Sequence, residues 1–380
     1  MIRAVKVRLL PTEEQEKQMW KSAGTKRFIY NWTLAKQEEN YKNGGKFIKD
    51  GVLRKEITKL KKGELSWLYE VSNNVAKQAV KDACIAYKRF FKGEAEKPRF
   101  KSRKNSRISF YNDNIALEVK EDKVLIEKVG WVKLSKVNSI PIGVKYTRPT
   151  VSYDNKYWFM SVGVEQEGND LKLTGESIGI DVGVKELAVV SSIEKPFKNI
   201  NKTKTVKRLE KKKRRLQRKL SRKYDRLKSE KAFKKGERLK KTNNIIKLEK
   251  QSKLVDRKLS NIRNNHIHQT TNAIVKTKPS RVVMETLNIK GMMKNKHLSK
   301  AIQNQCLYEF KRQMAYKCEF NGIEFVEADR FYPSSKMCSS CGAIKKDLKL
   351  SDRTYKCECG LVMDRDKNAS INLANYKLVV

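Results

Sequence analysis

The sequence predicts a multidomain α+β chain, and three observations carry the prediction. Its 380 residues exceed what one core usually holds, so two or three domains are expected. The texture changes along the chain, from helical periodicity up to about residue 97, to short alternating strands, and then to strands and helices in alternation. Four of the seven cysteines crowd into Cys338–Cys359, a usage that suits a metal and not a disulfide framework.

Charge narrows the partners. Lys and Arg total 86 against 42 Asp and Glu, a formal net charge of +44. An excess spread over the whole chain marks a polyanion binder, with nucleic acid as the leading partner. An anionic membrane is the rival. No apolar run reaches the roughly 18 residues of a spanning helix, and Met1–Gln18 lacks the basic-then-apolar pattern of a signal peptide. A cytoplasmic protein of the prokaryotic cytosol or nucleoid, with no membrane partner, is therefore expected.

Met1–Leu10 alternates apolar and basic residues and predicts a strand with one positive face, which Pro11 stops. Thr12 with Gln15 forms a capping box that opens a helical region running to Lys81–Phe91, broken at Asn43-Gly44-Gly45 and near Gly51. Trp20, Phe28, Tyr30 and Trp32 are expected to line its core, with Trp67, Val71, Val75 and Val80 as a second stripe. Lys97–Arg107 is a basic loop interrupted by Phe100. Its Lys97, Arg99, Lys101 and Arg103 suit phosphates and Phe100 a base, although a solvated charge run reads the same way. Alternation then recurs at Ile115–Val119, Lys123–Glu127, Trp131–Leu134, Thr150–Tyr153 and Tyr157–Val164, which predicts a small antiparallel barrel or sandwich. If Met1–Leu10 supplies one of its strands, the helical segment is an insertion.

Ser177–Ser191 places one carboxylate, Asp181, between the apolar runs Ile178–Ile180 and Leu187–Val190. An ionised acid at the edge of a buried sheet is costly unless it meets a cation, but an ordinary turn acid fits the same fragment. Thr205–Asn264 predicts two antiparallel basic helices about Lys234-Lys235-Gly236. Their apolar stripes are Leu209, Leu216, Leu220 and Leu227, then Leu239, Ile246, Leu254, Leu259 and Ile262. Lys211, Lys212, Arg214 and Arg215 lie on the remaining faces, either solvated or against nucleic acid. His266 and His268 point apart on a helix and are not a metal pair. Ser280–Glu285 is a short apolar strand ending in Glu285, a second candidate ligand; a helix over Ser299–Asn321 and a strand over Glu324–Glu327 follow.

Cys338-x-x-Cys341 and Cys357-x-Cys359, fifteen residues apart and followed by Gly342 and Gly360, can bring four thiolates around one structural Zn²⁺. A redox Cys-x-x-Cys is the alternative, weakened by the second pair. Met363–Leu373 then runs from an acidic turn, Asp364 and Asp366, into a helix. Asp181, Glu285 and an Asp of this turn would gather three carboxylates from two strands and one helix. Such oxygen-rich sites suit Mg²⁺ or Mn²⁺, and two ions roughly 3.5–4 Å apart can activate water against a phosphodiester. No Ser/His/Asp set, P-loop or dinucleotide fingerprint competes with this chemistry.

Taken together, IGIDVGVKELAVV, VVMETLNIKGM, YPSSKMCSSCG and KCECG followed by DRDKNASINLA resemble, in order and over nearly the whole chain, the TnpB family. These are transposon-encoded RNA-guided DNA endonucleases related to type V CRISPR effectors. The resemblance implies a RuvC-like nuclease with an RNase H core, at 171–335 and 363–380, interrupted by the basic hairpin at 203–264. It also implies a wedge β-barrel at 1–11 and 98–170, an inserted helical recognition lobe at 12–97, and a four-cysteine zinc knuckle at 336–362 that meets target nucleic acid. Asp181, Glu285 and Asp366 match the acidic triad, Asp366 by its place in the RD-x-NA motif. Implied partners are a guide RNA transcribed near the transposon end and double-stranded DNA, cut beside a short flanking motif. Two rivals stand beside this one, a cleavage-silent RNA-guided repressor and a transposase or accessory that needs no RNA. The second knuckle is one residue shorter than the family's common spacing, which bears on zinc geometry, and Thr286 replaces an acid often found after the catalytic Glu.

Overall fold

A computed structural model describes residues 1–103, 106–168, 172–230, 240–349 and 352–377. The chain divides into two compact units, Met1–Gln166 and Glu167–Val380. The first contains β1 (Ile2–Leu10), α1 (Glu13–Lys42), α2 (Asp50–Leu60), α3 (Asn73–Phe91), β2 (Ser109–Tyr111), β3 (Lys123–Ile126), β4 (Gly130–Leu134), β5 (Tyr146–Tyr153) and β6 (Trp158–Glu165).

Its strands form one antiparallel sheet in the order β2-β5-β6-β1-β4-β3. β1 sits inside that sheet because its alternation presents Val7 and Leu9 to a core with Phe110, Val124, Ile126, Val151 and Met160. It pairs with β6 over Ile2–Arg8 and passes to β4 at Leu9–Leu10, so it joins both halves of the sheet. Met19 and Val75 from the helices join the same core. The capping box is present, with Gln15 N donating to Thr12 Oγ1 and Thr12 N to Gln15 Oε1. Ile29, Leu53, Leu68 and Val80 make a separate core among the helices.

Three details of this unit differ from the sequence expectations. Ile115–Val119 is not a strand: it keeps one bridge, Val119 to Val124, and Ile115 is 88% exposed. The side chain of Asn112 accepts the backbone N–H of Glu127, taking a bond that a paired strand would supply. Gly51 does not break a helix but lies in the first turn of α2, where the backbone N–H has no intrahelical acceptor to lose. Trp67 is not core; it meets Phe28 edge to face at 5.3 Å, and both rings are 40% exposed.

The second unit contains β7 (Ser177–Val182), β8 (Glu186–Val190), β9 (Phe197–Lys198), α4 (Lys204–Glu230), α5 (Asn243–Val275), β10 (Arg281–Glu285), α6 (Ile289–Met292), α7 (Ser299–Gln305), α8 (Leu307–Phe320), β11 (Glu324–Ala328), β12 (Thr354–Lys356), β13 (Val362–Asp364) and α9 (Arg365–Ala374). Five strands form a mixed sheet, β11-β10-β7-β8-β9, with β11, β10 and β7 parallel and β8 and β9 antiparallel. Helices cover both faces. Ile178, Ile180 and Met284 pack against Ile267, Ile274, Phe310 and Met314 of α5 and α8, whereas Val283 and Val326 pack against Leu373 just before the end of α9. Coverage on both sides explains the unbroken apolar runs of these strands.

Glu210–Arg263 and Lys213–Asp256 pair at 2.8 and 2.6 Å, and Tyr224 bonds Glu249, so α4 and α5 run in opposite directions. Their contact buries Val206, Leu216, Val255 and Leu259. On α5 the inward residue is Ile245, while Ile246 is 50% exposed; the expected stripe was one residue out of phase there. The turn expected at Lys234-Lys235-Gly236, and Leu239, lie outside the described residues. The single helix expected over Ser299–Asn321 is two helices, split at Cys306, whose φ is +55°. Gln305 fixes that break by donating to Gly183 O at 3.0 Å and Glu186 O at 3.2 Å. Among the described residues no helix is long and apolar enough to cross a membrane.

Candidate active site and metal centre

Strand alternation determines which acids can meet. On β7, Ile178 and Ile180 face α5 and α8, so Gly179 and Asp181 face α9. Parallel pairing sets Met284 beside Ile180, and Glu285, two residues beyond the α9-facing Val283, emerges on the same face. α9 lies over that face because Gly179 lets it: a Cβ there would stand 2.0 Å from Ser370 O and 2.4 Å from Ala374 N. The first turn of α9 therefore arrives above the strand ends, carrying Asp366.

Asp364 and Asp366 have different roles. Asp364 is the N-cap of α9, its Oδ1 accepting from the backbone N–H groups of Asp366 at 2.9 Å and Lys367 at 3.1 Å. Asp366 projects from the first turn and meets Arg365 at 3.3 Å and Arg353 at 3.9 Å. Lys367 holds the same turn down: its ammonium donates to the carbonyls of Val190, Ser191 and Ile193 at 3.1, 2.7 and 3.1 Å. Burial pulls that ammonium below the usual lysine range, against the opposing charge of Glu194.

Asp181 feels both of the other acids. Burial, then the charges of Asp366 and Glu285, push Asp181 up to about 8, with Arg365 partly offsetting them. Burial also raises Glu285. A buried carboxylate beside two others ionises readily only when a cation joins it. The donor set therefore fits a hard divalent ion. Among the described residues, however, only the four cysteines bring metal-ligating atoms within 4.8 Å of one another. The acids are gathered less tightly, with Asp366 engaged by the two arginines.

The cysteines form a second, closed centre. Cys338 Sγ lies 3.6 Å from Cys359 Sγ, and Cys341 Sγ 3.6 Å from Cys357 Sγ. Four sulfurs held tetrahedrally at about 2.3 Å from zinc would be about 3.8 Å apart, so the shorter Cys-x-Cys knuckle still fits. Gly342 (φ +77°) and Gly360 (φ +90°) make the turns, where a left-handed backbone is cheap only for glycine. Burial opposes ionisation of Cys338, but the N–H groups of Cys341 and Ser340 and the neighbouring thiols bring it down to about 6. The cluster can hold a metal ion, with no open position for substrate. The hairpin β12–β13 that carries Cys357 and Cys359 at its turn runs directly into α9, and Arg365 N donates to Arg353 O at 2.8 Å. The cysteine cluster and Asp366 thus share one short structural path. His266 bonds the Lys198 carbonyl through Nε2.

The basic candidates are dispersed. In the first unit Lys97 pairs with Glu38 at 3.2 Å and Arg99 with Glu96 at 3.1 Å, while Phe100 is 53% exposed. Lys101 turns its ammonium over the Tyr30 ring at 3.3 Å, and burial lowers it to about 8. Arg103 lies over Trp20 at 5.9 Å. In the second unit Lys211, Lys212, Arg214 and Arg215 are exposed on α4. Gly179, Lys367 and Arg353 were not found from the sequence as parts of the acidic site: the first two meet partners far away along the chain, and Arg353 reaches Asp366 only across the β12–β13 hairpin.

Three family models match parts of the chain: a helix-turn-helix domain at 1–46, a probable transposase at 159–296, and a Cas12f1-like TNB domain at 308–373. Residues 1–46 are here one strand and one long helix. A Streptomyces pristinaespiralis protein named "Putative RNA-guided DNA endonuclease" is 30% identical over 98% of this chain and 88% of its own length. InsQ of Escherichia coli K12, which carries the same description, is 29% identical over 98% of this chain and 90% of its own length. Among solved structures, a Cas12f1–sgRNA–target DNA complex contains a chain with TM-score 0.57 and 17% identity, covering 95% of this chain and 82% of that one, a likeness of fold.

Proposed function

The chain belongs to the TnpB family, and from that premise we propose that it is the RNA-guided DNA endonuclease of a transposable element. A guide RNA transcribed from the transposon end pairs with one strand of double-stranded DNA, the protein recognises a short flanking motif, and one RuvC-like pocket hydrolyses the phosphodiesters. Base pairing selects the sequence, while the protein reads shape and charge. The domains follow the family plan, with a wedge barrel at 1–11 and 98–170, a recognition lobe at 12–97 and a zinc knuckle at 336–362. The protein works where DNA and transcripts meet, in the prokaryotic cytosol or nucleoid.

The observation that supports this most is the convergence of Asp181, Glu285 and Asp366 on the α9 face of one sheet, with Asp181 pushed up to about 8. These three would hold Mg²⁺ or Mn²⁺, which when bound supplies Lewis acidity and activated water for phosphodiester hydrolysis. Asp364 and Lys367 position Asp366 by fixing the first turn of α9. Arg365 and Arg353 balance the charge of Asp366. Cys338, Cys341, Cys357 and Cys359 hold one structural Zn²⁺. Lys97, Arg99, Phe100, Lys101, Arg103 and the exposed cations of α4 contribute nucleic-acid contacts.

The decisive experiment supplies the purified protein and its copurified RNA with matching DNA and Mg²⁺. Wild type should cut, and Asp181→Ala should reduce the rate by at least about a thousandfold, since loss of a metal ligand removes several kcal/mol of transition-state stabilisation. Undiminished cutting by the variant sinks the assigned site. Cutting that survives removal of all RNA sinks the guided mechanism in favour of an RNA-independent transposase. Binding without cutting by wild type identifies a repressor.

A further inference from the structure

The helices of the first unit enclose a cavity of about 460 Å³, inside the roughly 300–1,000 Å³ range of small-ligand sites. Its walls are Tyr41, Phe47, Tyr87, Phe90 and Phe91. Tyr87 and Phe91 stack at 5.9 Å with planes 26° apart, and Phe47 meets Phe91 edge-on at 5.9 Å. Packing alone does not explain these rings, since Tyr41 is 78% and Phe91 60% exposed.

A second, independent observation points to a ligand. Tyr87 is only 5% exposed, yet its hydroxyl has no hydrogen-bond partner among the described residues. A buried hydroxyl left unpaired is destabilising, and a polar atom entering the cavity that Tyr87 lines would satisfy it. The surroundings are polar. Lys42 and Lys97 border the cavity, and Lys97, Arg99, Phe100 and Glu96, which pairs with Arg99, wall an adjoining hollow of about 360 Å³. Glu38 contributes to both and pairs with Lys97 at 3.2 Å.

We propose that this cavity receives an unpaired nucleobase from a single strand whose phosphates follow Lys97–Arg103. Aromatic walls accept any base, because every base offers a π face. The Glu38 carboxylate can accept from an exocyclic amino group, and the Tyr87 hydroxyl can bond a ring nitrogen or carbonyl oxygen. An apolar peptide side chain would fill the rings but leave the Tyr87 hydroxyl unpaired. The inference rests on the RNA-guided function only for the source of the strand, which is either the guide RNA or the displaced DNA strand.

The test uses the full chain and a short single strand with one central 2-aminopurine, made once as RNA and once as DNA. Binding should quench the 2-aminopurine. Phe91→Ala and Tyr41→Ala, at largely exposed rings, should each relieve the quench and weaken binding about tenfold. Tyr87→Phe keeps the ring, should keep the quench and unfold at a temperature no lower than wild type, and should bind roughly fivefold more weakly. Quenching of the RNA strand identifies the guide as the source, and quenching of the DNA strand the displaced strand; either supports the site. Quench and affinity equal in wild type, Phe91→Ala and Tyr41→Ala overturn it. Guided cleavage assayed in parallel separates the two ideas: cutting with an insensitive quench rejects the cavity alone, and a sensitive quench without cutting rejects the endonuclease.

Discussion

At the scale of single residues, Asp181 carries the largest electrostatic burden. Its pKa in the folded protein, about 8, lies above the ordinary value of 3.8, so the unfolded chain gives up this proton first as pH rises. Without divalent ions, the folded state should therefore lose stability progressively from about pH 4 to about pH 8. Asp181→Asn removes that loss. In Mg²⁺-free buffer its melting temperature should gain on wild type as pH climbs through this window, and parallel melting curves would show that the charge is not strained. Gly179 makes a different prediction. A methyl group at Gly179 would press on the α9 backbone at Ser370 and Ala374, so Gly179→Ala should cost about 1–3 kcal/mol by overpacking and weaken Mn²⁺ binding followed by paramagnetic resonance. Asp181 and Glu285 were singled out in the sequence because two apolar strands carry acids in matching places and both fall in motifs that resemble the family's; either acid alone is commonplace. Gly179 was not, since its meaning depends on a helix that follows almost two hundred residues later in the chain.

At the scale of elements, the β12–β13 hairpin links the cysteine cluster to the helix bearing Asp366. One equivalent of zinc per chain is expected by metal analysis, and finding none in freshly purified protein refutes the assignment. Cys338→Ser should lose the metal and raise hydrogen exchange in β12, β13 and the first turn of α9, because metal binding and local folding are coupled. The basic hairpin tests packing. Leu259, 1% exposed between α4 and α5, should cost about 2–5 kcal/mol on truncation to Ala, read as earlier exchange of both helices. The sequence revealed this pair through its spaced leucines. It misplaced Ile246 by one residue because a long polar helix leaves the phase of its stripe weakly specified; only the folded chain shows that Ile245 is the buried one.

At the scale of the whole molecule, a net charge of +44 makes affinity for nucleic acid dependent on salt. Replacing Lys211, Lys212, Arg214 and Arg215 with Gln should weaken RNA binding with little regard to sequence. It should also reduce the slope of log affinity against log salt by roughly 0.7–0.9 for each phosphate that is no longer neutralised; an unchanged slope means that α4 faces solvent. The sequence by itself determined the multidomain α+β character, the polyanion partner, the four cysteines and the acids at the strand ends, because composition, two-residue alternation and ligand spacing are local properties. Only the tertiary structure decided that β1 lies inside a sheet formed mostly from strands beyond the helices, and that Ile115–Val119 keeps a single bridge instead of forming a strand. It alone set Lys367 on three carbonyls of β8 and the segment after it, and Arg353 against Asp366. Those facts depend on which segments come together, and strand pairing and side-chain contacts between segments carry no signature in the residues that lie next to one another along the chain.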